Sequence, residues 1–337
     1  MKTRHSSAPR RIAINGFGRI GRLALRVAAA RPDLEVVAIN DLDDPDLLGY
    51  LFRSDSIHGS YPGSVQRRGK QLVVDGRRIT MHRVRDPAEL PWKRQGVDVV
   101  LECSGAFRSR ADSARHLQAG ARKVIISAPS DDADLTIVVG VNESRYDPRR
   151  HHVISNASCT TNALAPLAWV LDEKFGVERA WALTVHAYTS SQALVDSPQR
   201  KRRRSRAAAL NLVPTSTGAA AAVGRVLPGL EKKIDGLAIR APNPDGSIVD
   251  LTARLSRAAT VKQVNAAFAG AARGALQGVL RYEAEDGLVS SDILGDPHSA
   301  IFDAPLTMAA GGMVKVLAWY DNEVGYAHRL MDLAQRV

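Results

Sequence analysis

One cysteine of this chain stands where its thiol could act as a nucleophile. Cys159 lies in the run S-N-A-S-C-T-T-N at residues 155–162, where small polar residues precede an apolar helical pattern. Ser158 is a suitable N-cap, so Cys159 is expected in the first helical turn. A thiolate is favoured there, because the helix dipole and the first N–H groups lower the pKa of the thiol. The same N–H groups could stabilise an oxyanion on a substrate bound to the sulfur.

A nucleophilic cysteine needs a base, and His186 is the candidate. It lies in T-V-H-A-Y at residues 184–188, at the end of a predicted strand in the same half of the chain. An imidazole near Cys159 would form a thiolate–imidazolium pair and then shuttle protons. The second cysteine, Cys103, follows an apolar run and is interpreted as a small buried side chain.

The sequence predicts no metal site. Two cysteines are too few for a multi-cysteine zinc or iron–sulfur centre. The adjacent pair His151 and His152 has neither a helical i, i+4 spacing nor cysteine partners, so it lacks the pattern of a zinc site.

A glycine-rich turn near the N-terminus has the pattern of a dinucleotide-binding site. Residues 15–21, N-G-F-G-R-I-G, follow the first predicted strand and open the first predicted helix. Gly16 permits the tight turn, Gly18 lets the backbone approach a pyrophosphate, and Gly21 lets the helix pack closely. Asp41 follows Gly21 by 20 residues, where a carboxylate would bind the adenosine ribose; an Asx turn or helix cap is the alternative. The acids just after it would repel a 2′-phosphate, which favours NAD.

The first half of the chain alternates apolar runs with helical patterns. This alternation predicts an α/β fold with a Rossmann-type, doubly wound parallel sheet over residues 11–157. The predicted helices cover residues 19–30 and 111–119, the second ending at Gly120. The predicted strands cover residues 11–14, 36–40, 97–102, 124–127 and 136–139.

The second half has longer, more alternating strands. It predicts an α+β catalytic domain with a mostly antiparallel sheet over residues 158–323, followed by a C-terminal helix at 324–337 that is expected to pack back on the NAD-binding domain. The predicted strands cover residues 181–188, 234–240, 247–254 and 314–319. The predicted helices cover residues 158–175, 218–226 and 261–274; Pro166 is expected to bend the first.

The net charge of +11 on 337 residues is concentrated in two segments. Residues 1–11 and 200–206 contain ten of the 46 bases and no acid, and the rest nearly balances the 35 acids. Residues 1–10 are therefore treated as a basic N-terminal extension.

No apolar run approaches the ~18 residues of a membrane span, and the N-terminus lacks the apolar core of a secretory signal. A cytoplasmic location is expected.

These motifs together resemble the phosphorylating glyceraldehyde-3-phosphate dehydrogenase family. N-G-F-G-R-I-G-R, I-N-D, H-V-I-S-N-A-S-C-T-T-N, P-T-S-T-G-A-A and W-Y-D-N-E occur in the family's order between residues 11 and 335. The resemblance implies that Cys159 attacks D-glyceraldehyde 3-phosphate and that His186 removes the hydroxyl proton while hydride passes to NAD. Phosphate then releases the thioester as 1,3-bisphosphoglycerate, a step of glycolysis and gluconeogenesis.

The resemblance also implies roles for individual residues. The substrate phosphate would be held by Thr189 and Arg240. The attacking phosphate would be held by Ser158, Thr160, Arg204, Thr217 and Gly218. The cofactor would be held by Gly16, Phe17, Gly18, Arg19, Ile20, Asp41, Ser104, Ser127, Asn322 and Tyr326.

Three positions depart from the family pattern. Ala163 replaces a second cysteine common four residues after the nucleophile, which excludes a local disulfide. Ser191 stands where an acid is often found near the substrate phosphate, so that pocket is expected to be reshaped. Ser197 precedes a proline where NAD-using members often have leucine; NAD remains the predicted cofactor, with NADP or dual use as the alternative.

Two other functions compete with this interpretation. Erythrose-4-phosphate dehydrogenase shares the cysteine motif, but its relatives lack the T-G-A-A element that begins here at Thr217. A nucleic-acid-binding or moonlighting role rests on the basic run 200–206, which no aromatic-rich RNA platform accompanies. The resemblance implies a homotetramer in which this loop packs near a neighbour's cofactor, with neither membrane nor nucleic acid as a partner.

Overall fold

The computed structural model describes residues 8–337, which divide into two compact units. The first contains the described residues up to Ile137 together with Arg145–Ala157 and Ala327–Val337; the second contains Val138–Ser144 and Ser158–Tyr326. Residues 1–7 of the expected basic extension lie outside the described part of the chain, and Arg10 already belongs to the first strand.

The short segment Val138–Ser144 groups with the second unit, although the sequence analysis placed it in the first domain. The reason is a packing contact, since a Cβ at Gly140 would meet the side chains of Leu276 and Val279 at 3.1 Å. Because the chain leaves the first sheet here, the strand expected at 136–139 is only the two residues Leu135–Thr136.

Nine strands form the sheet of the first unit within the described chain. They are β1 (Arg10–Asn15), β2 (Leu34–Asn40), β3 (Val65–Arg68), β4 (Gln71–Val74), β5 (Arg77–His82), β6 (Val99–Glu102), β7 (Lys123–Ile126), β8 (Leu135–Thr136) and β9 (Val153–Ser155). Their order is β3-β4-β5-β2-β1-β6-β7-β9-β8, parallel from β5 onward. The predicted doubly wound sheet is confirmed, with an antiparallel edge. Strand order reverses beside β1, and ligands of such sheets bind at the carboxyl ends of the strands there.

The helices of the first unit lie between its strands. They are α1 (Arg19–Ala29), α2 (Pro45–Arg53), α3 (Trp92–Gln95), α4 (Arg110–Ser113) and α5 (Arg115–Gln118). The helix expected over 111–119 is therefore two short helices that meet at Ala114. Gly120 follows in a left-handed conformation, with φ of +101°, as the predicted stop signal requires.

The second unit has a sheet of eight strands among the residues described. They are β10 (Val177–Ala187), β11 (Val213–Ser216), β12 (Ile234–Ala241), β13 (Ser247–Leu255), β14 (Leu280–Glu283), β15 (Ala300–Asp303), β16 (Met308–Ala310) and β17 (Met313–Tyr320). Only the pairs β10–β12 and β14–β15 are parallel in this sheet, so the predicted antiparallel majority is confirmed.

Helices cover one face of the second sheet. They are α6 (Cys159–Phe175), α7 (Ala219–Val226) and α8 (Val261–Arg273). Along β10, the residues from Ala180 to His186 at even positions are buried, whereas Trp181 and Val185 on the opposite face are 65% and 37% exposed. Helix α6 continues through Pro166 as one helix from Cys159 to Phe175.

The C-terminal helix α9 (Val324–Arg336) ends the chain. Its last turns belong to the first unit, where Arg31 donates hydrogen bonds to Asp332 and Gln335. No helix in residues 8–337 is both long enough and apolar enough to cross a membrane.

Candidate active site

The cysteine begins helix α6. Ser158 is the N-cap, and its Oγ accepts a hydrogen bond from the N–H of Thr161 at 3.0 Å. The residue before this cap, Ala157, has a left-handed φ of +57°, which is uncommon for a side chain with a Cβ. Cys159 is therefore held in the first turn, where the sequence analysis expected it, and it is partly exposed.

His186 lies beside the cysteine at the end of β10. Its Nε2 is 3.4 Å from the Sγ of Cys159. Burial lowers the pKa of His186 to about 3, and the positive charge of Arg240 adds to this effect. Burial raises the pKa of the Cys159 thiol, while Arg240 opposes that rise. The pair is therefore uncharged in this arrangement, with a neutral imidazole within reach of the thiol proton.

Arg240, on the neighbouring strand β12, contacts the other ring nitrogen of His186. Its Nη1 lies 2.6 Å from Nδ1 of His186 and donates to the carbonyl oxygen of Ala187 at 2.7 Å. The same carbonyl is 2.7 Å from Nδ1. A guanidinium only donates, so Nδ1 accepts while Arg240 is in place. Without the bond from Arg240, Nδ1 could carry a proton and donate to the carbonyl oxygen of Ala187.

A buried tyrosine, Tyr320, packs against His186 and bonds to two threonines beside it. The hydroxyl of Tyr320 is 2.9 Å from Oγ1 of Thr160 and 2.8 Å from Oγ1 of Thr184. Its ring meets that of His186 edge-on at 5.9 Å. The hydroxyl of Thr160, expected at a phosphate, thus bonds inward instead. Sequence reasoning missed Tyr320 and Thr184, because only strand pairing brings them under α6.

Two of the expected phosphate ligands meet through Ser191. Its Oγ is 2.9 Å from Oγ1 of Thr189 and accepts from Nη1 of Arg204 at 3.1 Å. Arg204 also donates to Oγ1 of Thr215 at 3.2 Å. Burial lowers the pKa of Arg240, and the nearby positive charge of Arg204 adds to this effect. The same charge of Arg204 also contributes to the lowered pKa of His186. Such a concentration of cationic charge favours an anion.

Thr217 and Gly218 lie at the start of α7. Gly218 is its N-cap, and Thr217 Oγ1 accepts from the N–H of Ala219 at 3.2 Å. A helix of eight residues presents N–H groups at this end, which suit phosphate oxygens.

The glycine-rich turn lies at the carboxyl end of β1. Gly16 has φ of +93°, and a Cβ there would come within 2.4 Å of the backbone nitrogen of Ser104. Gly18 leads into α1 with open space at its Cβ position. The turn therefore has the room that a pyrophosphate needs, and it fits the predicted cofactor. Gly21 is packed so closely that a Cβ would meet the carbonyl oxygen of Gly16 at 2.2 Å.

Asp41 forms the Asx turn that was the alternative to ribose binding, and its carboxylate still has room for a ribose. Its Oδ2 accepts from the N–H of Phe17 at 2.6 Å, and its Oδ1 accepts from Asp43 at 3.0 Å in an Asx turn. A carboxylate has about four acceptor positions, so a ribose hydroxyl can still be bound. Phe17 itself is buried, and Arg19 forms an ion pair with Asp55 at 2.7 Å.

The remaining cofactor candidates lie in both units. Ile20 is in the first turn of α1, and Ser127 directly follows β7. Asn322 and Tyr326, in the second unit, are 5% and 4% exposed. Oδ1 of Asn322 accepts from the hydroxyl of Ser247 at 2.5 Å, which orients its amide.

Comparison with known proteins decides the family. A family model described as the NAD binding domain of glyceraldehyde 3-phosphate dehydrogenase matches residues 10–110, and one for its C-terminal domain matches residues 158–322. The chain is 53% identical over 325 residues to the glyceraldehyde-3-phosphate dehydrogenase of Geobacillus stearothermophilus, covering 96% of this chain and 97% of the relative. It is 54% identical over 326 residues to that of Kitasatospora aureofaciens, covering 96% and 98%. The chain belongs to the glyceraldehyde-3-phosphate dehydrogenase family.

Membership of the glyceraldehyde-3-phosphate dehydrogenase family confirms the resemblance, the two-part α/β fold and NAD as the cofactor. The relative from Mycobacterium avium, 52% identical over 334 residues and covering 97% of this chain and 98% of its own, bears the same name. The individual roles of the site residues stay predictions. Four further residues contact the site, and sequence reasoning either missed them or gave them no partner. They are Ser191, Thr184, Thr215 and Tyr320.

Proposed function

We propose that this chain catalyses the phosphorylating oxidation of D-glyceraldehyde 3-phosphate to 1,3-bisphosphoglycerate with NAD. One observation carries the chemistry: Sγ of Cys159, at the start of α6, lies 3.4 Å from Nε2 of His186. A thiol and an imidazole at this distance form a nucleophile and its base. The family membership supports the aldehyde, the cofactor and the place in glycolysis and gluconeogenesis.

The first step joins sulfur to the substrate. Cys159 attacks the aldehyde carbon after its proton has passed to Nε2 of His186, and the N–H groups that begin α6 stabilise the oxyanion. His186 returns this proton to the oxyanion, which gives the hydroxyl of the hemithioacetal, and takes it up again as the carbon is oxidised to a thioester. NAD, when bound, accepts the hydride that this oxidation releases. The oxygen of inorganic phosphate attacks the thioester carbon, and the thiolate leaves.

Substrate binding would also prepare the base. The substrate phosphate is an anion that Arg240 can pair with, and Thr189 lies in the same unit as a further ligand. Once Arg240 turns to the phosphate, Nδ1 of His186 can donate to the carbonyl oxygen of Ala187, 2.7 Å away. Imidazolium is then stabilised at the moment when the thiol is deprotonated.

Attacking phosphate would be held near the cysteine. Ser158, Arg204, Thr217 and Gly218 supply hydroxyls, a guanidinium and a helix N-terminus for it. For Thr160 we expect only the backbone N–H to contribute, because its hydroxyl bonds to Tyr320. In the first unit, the turn at Gly16 and Gly18 would hold the pyrophosphate.

Reduction of the cofactor tests this function. The absorbance of reduced cofactor should rise with glyceraldehyde 3-phosphate and NAD, and phosphate should stimulate it. Cys159→Ser should lower turnover by roughly 10³-fold or more, because an alcohol is a far weaker nucleophile. Thr184→Val, which removes a hydroxyl beneath the site, is the milder comparison. Turnover that does not depend on phosphate, a preference for NADP or erythrose 4-phosphate, or full activity of Cys159→Ser would contradict the proposal.

We further propose that the protein is a homotetramer that works in the cytoplasm. The uncovered face of the second sheet supports an assembly, because Trp181, Val185 and Leu237 expose large apolar side chains side by side there. A second copy of the same face would cover them. Leu194 and Leu210, exposed in the loop that carries the basic run, provide further apolar surface.

A further inference from the structure

Buried polar side chains join the carboxyl ends of three neighbouring strands in the first unit. Asn15 ends β1, Asn40 ends β2 and Glu102 ends β6. Their exposed fractions are 2%, 5% and 2%, and His116 from α5 is completely buried beside them. Buried polar groups are costly unless their hydrogen bonds are made, so an extended network at this position calls for a function.

Glu102 is the centre of this network. Its Oε2 lies 2.5 Å from Nδ2 of Asn15 and 3.1 Å from Nε2 of His116. Its Oε1 accepts from the N–H of Ser104 at 2.8 Å and also from the hydroxyl of that residue. Four donors therefore meet the roughly four acceptor positions of an ionised carboxylate. A glutamine could not replace it, because an amide nitrogen would face donors.

Trp92 sets the direction of the bond from His116. The indole Nε1 can only donate, and it lies 3.0 Å from Nδ1 of His116. Nδ1 is therefore the acceptor, and the ring proton is on Nε2, where it points to Glu102. The tautomer of His116 is therefore fixed by a fully buried indole.

The two asparagines donate toward Glu102 from the other side of the network. Because Nδ2 of Asn15 donates to Glu102, its Oδ1 is free to accept from Nδ2 of Asn40 at 2.7 Å. Asn40 is fixed in turn by Val84, whose N–H donates to Oδ1 and whose carbonyl oxygen accepts from Nδ2, both at 2.9 Å. The donors thus run from Val84 at one end and from Trp92 at the other, and they converge on the carboxylate of Glu102.

Each strand end in this network leads into a segment proposed to hold NAD. Gly16 follows Asn15, Asp41 follows Asn40, and Ser104 is two residues after Glu102. These segments touch, since the N–H of Gly16 donates to the carbonyl oxygen of Asn40 at 2.8 Å, and that of Cys103 to Asn15 at 2.7 Å. A Cβ at Gly16 would collide with Ser104, so the turn tolerates little displacement.

We propose that Glu102 is a positioning residue for NAD: oriented by His116, it holds the glycine turn, the ribose-binding strand end and the Ser104 segment in one geometry. The proposal rests on the proposed placement of NAD at these segments. Glu102 lies beneath them and touches the cofactor at no step. Its contribution is therefore to the affinity for NAD and not to the chemistry at Cys159 in the second unit.

Glu102→Gln tests this role. We expect the KM for NAD and the Kd for NAD in calorimetry to rise roughly tenfold, which equals the loss of one hydrogen bond to a charged group. At saturating NAD, kcat and the KM for glyceraldehyde 3-phosphate should change less than about twofold. If Glu102→Gln does not give folded protein, His116→Phe fills the same space without the donor, and its KM for NAD should rise in the same direction.

Ile79→Ala is the matched control. Ile79 is 2% exposed on β5 in the same unit and takes no part in the network, so its truncation lowers the melting temperature by a packing loss alone. Its KM for NAD should stay within about twofold of the unchanged chain. An unaltered NAD affinity in Glu102→Gln, or an equal loss in Ile79→Ala, would overturn the proposal. Calorimetry reports NAD binding even if aldehyde oxidation fails, which separates this test from that of the proposed function.

Discussion

The proposed chemistry depends on three side chains, Cys159, His186 and Arg240, and the charge of Arg240 acts on the other two. Burial keeps His186 neutral and opposes ionisation of Cys159, whereas the positive charge of Arg240 favours the thiolate. In the proposed mechanism the thiol therefore stays protonated until a substrate anion pairs with Arg240 and Nδ1 of His186 changes its partner. One arginine would then link recognition of an anion to activation of the base.

Replacing Arg240 should make the thiol harder to ionise. In Arg240→Met the cation that opposes the burial-raised pKa of Cys159 is gone. Burial, the larger cause of the lowered pKa of His186, still keeps the imidazole neutral in the free enzyme, so the pKa of the thiol rises further. The pH midpoint for alkylation by iodoacetamide should move upward by about one unit, the usual effect of one nearby charge. Arg254→Met, an exposed arginine of the same unit paired with Glu178, is the control and should leave the midpoint unchanged. A midpoint in Arg240→Met that stays or falls would contradict this electrostatic account.

The residues of both proposed sites lie at the ends of helices and strands. Helix α6 begins at Cys159, β10 ends one residue after His186, and β1, β2 and β6 each end just before a proposed cofactor segment. Strand and helix ends offer unpaired backbone groups and exposed side chains on a rigid base, which explains why the chemistry is concentrated there.

Substitutions of glycines in the turn after β1 can distinguish an effect on NAD binding from an effect on folding. Gly18 has ordinary φ of −71° and open space at its Cβ position, so Gly18→Ala should keep its melting temperature within a few degrees. If pyrophosphate occupies that space, the KM for NAD should rise at least about tenfold.

Substitutions of two other glycines serve as comparisons for Gly18→Ala. Gly16→Ala should lose both stability and NAD affinity, because its Cβ would lie 2.4 Å from backbone and its φ is +93°. Gly270→Ala, with open space in α8 of the second unit, should affect neither adversely. A normal KM for NAD in Gly18→Ala would move the cofactor away from this turn.

At the scale of the whole molecule, the uncovered sheet face is where we propose that copies of the chain meet. Leu237 pairs with Leu183 between Trp181 and Val185, so these side chains lie on one face, opposite α6 and α7. Apolar side chains at 65% and 47% exposure, as for Trp181 and Leu237, are expensive to leave in water in a row.

A charge on this face should dissociate the oligomer. Trp181→Glu is expected to shift the mass measured by light scattering from that of a tetramer to a smaller species, because a buried unpaired carboxylate disfavours the interface. Its far-ultraviolet dichroism should not change, since the side chain is on the surface of its own chain. Val261→Glu, at an apolar position 38% exposed on α8, should remain tetrameric. A tetramer that survives Trp181→Glu would place the interface elsewhere.

Much of the architecture could be predicted from local sequence. Periodicity predicted both sheets and the main helices, because apolar repeats report which face of an element is buried. Capping and turn residues predicted the start of α6 at Ser158 and the stop at Gly120, since these depend on neighbours in the chain. Strand 136–139 and helix 111–119 were wrong in detail, because packing of Val138–Ser144 in the second unit and the break at Ala114 carry no strong local signal.

The sequence by itself determined which groups are available for chemistry: a cysteine after an N-cap, a histidine at a strand end, and glycines between a strand and a helix. Tertiary structure decided the hydrogen-bond partners and the pKa values of these groups. The bond from Arg240 to His186, the inward turn of the Thr160 hydroxyl to Tyr320, and the network around Glu102 all join residues far apart in the chain. Such contacts follow from strand register and burial, which a one-dimensional pattern does not encode, and burial is the largest cause of the pKa shifts at Cys159 and His186.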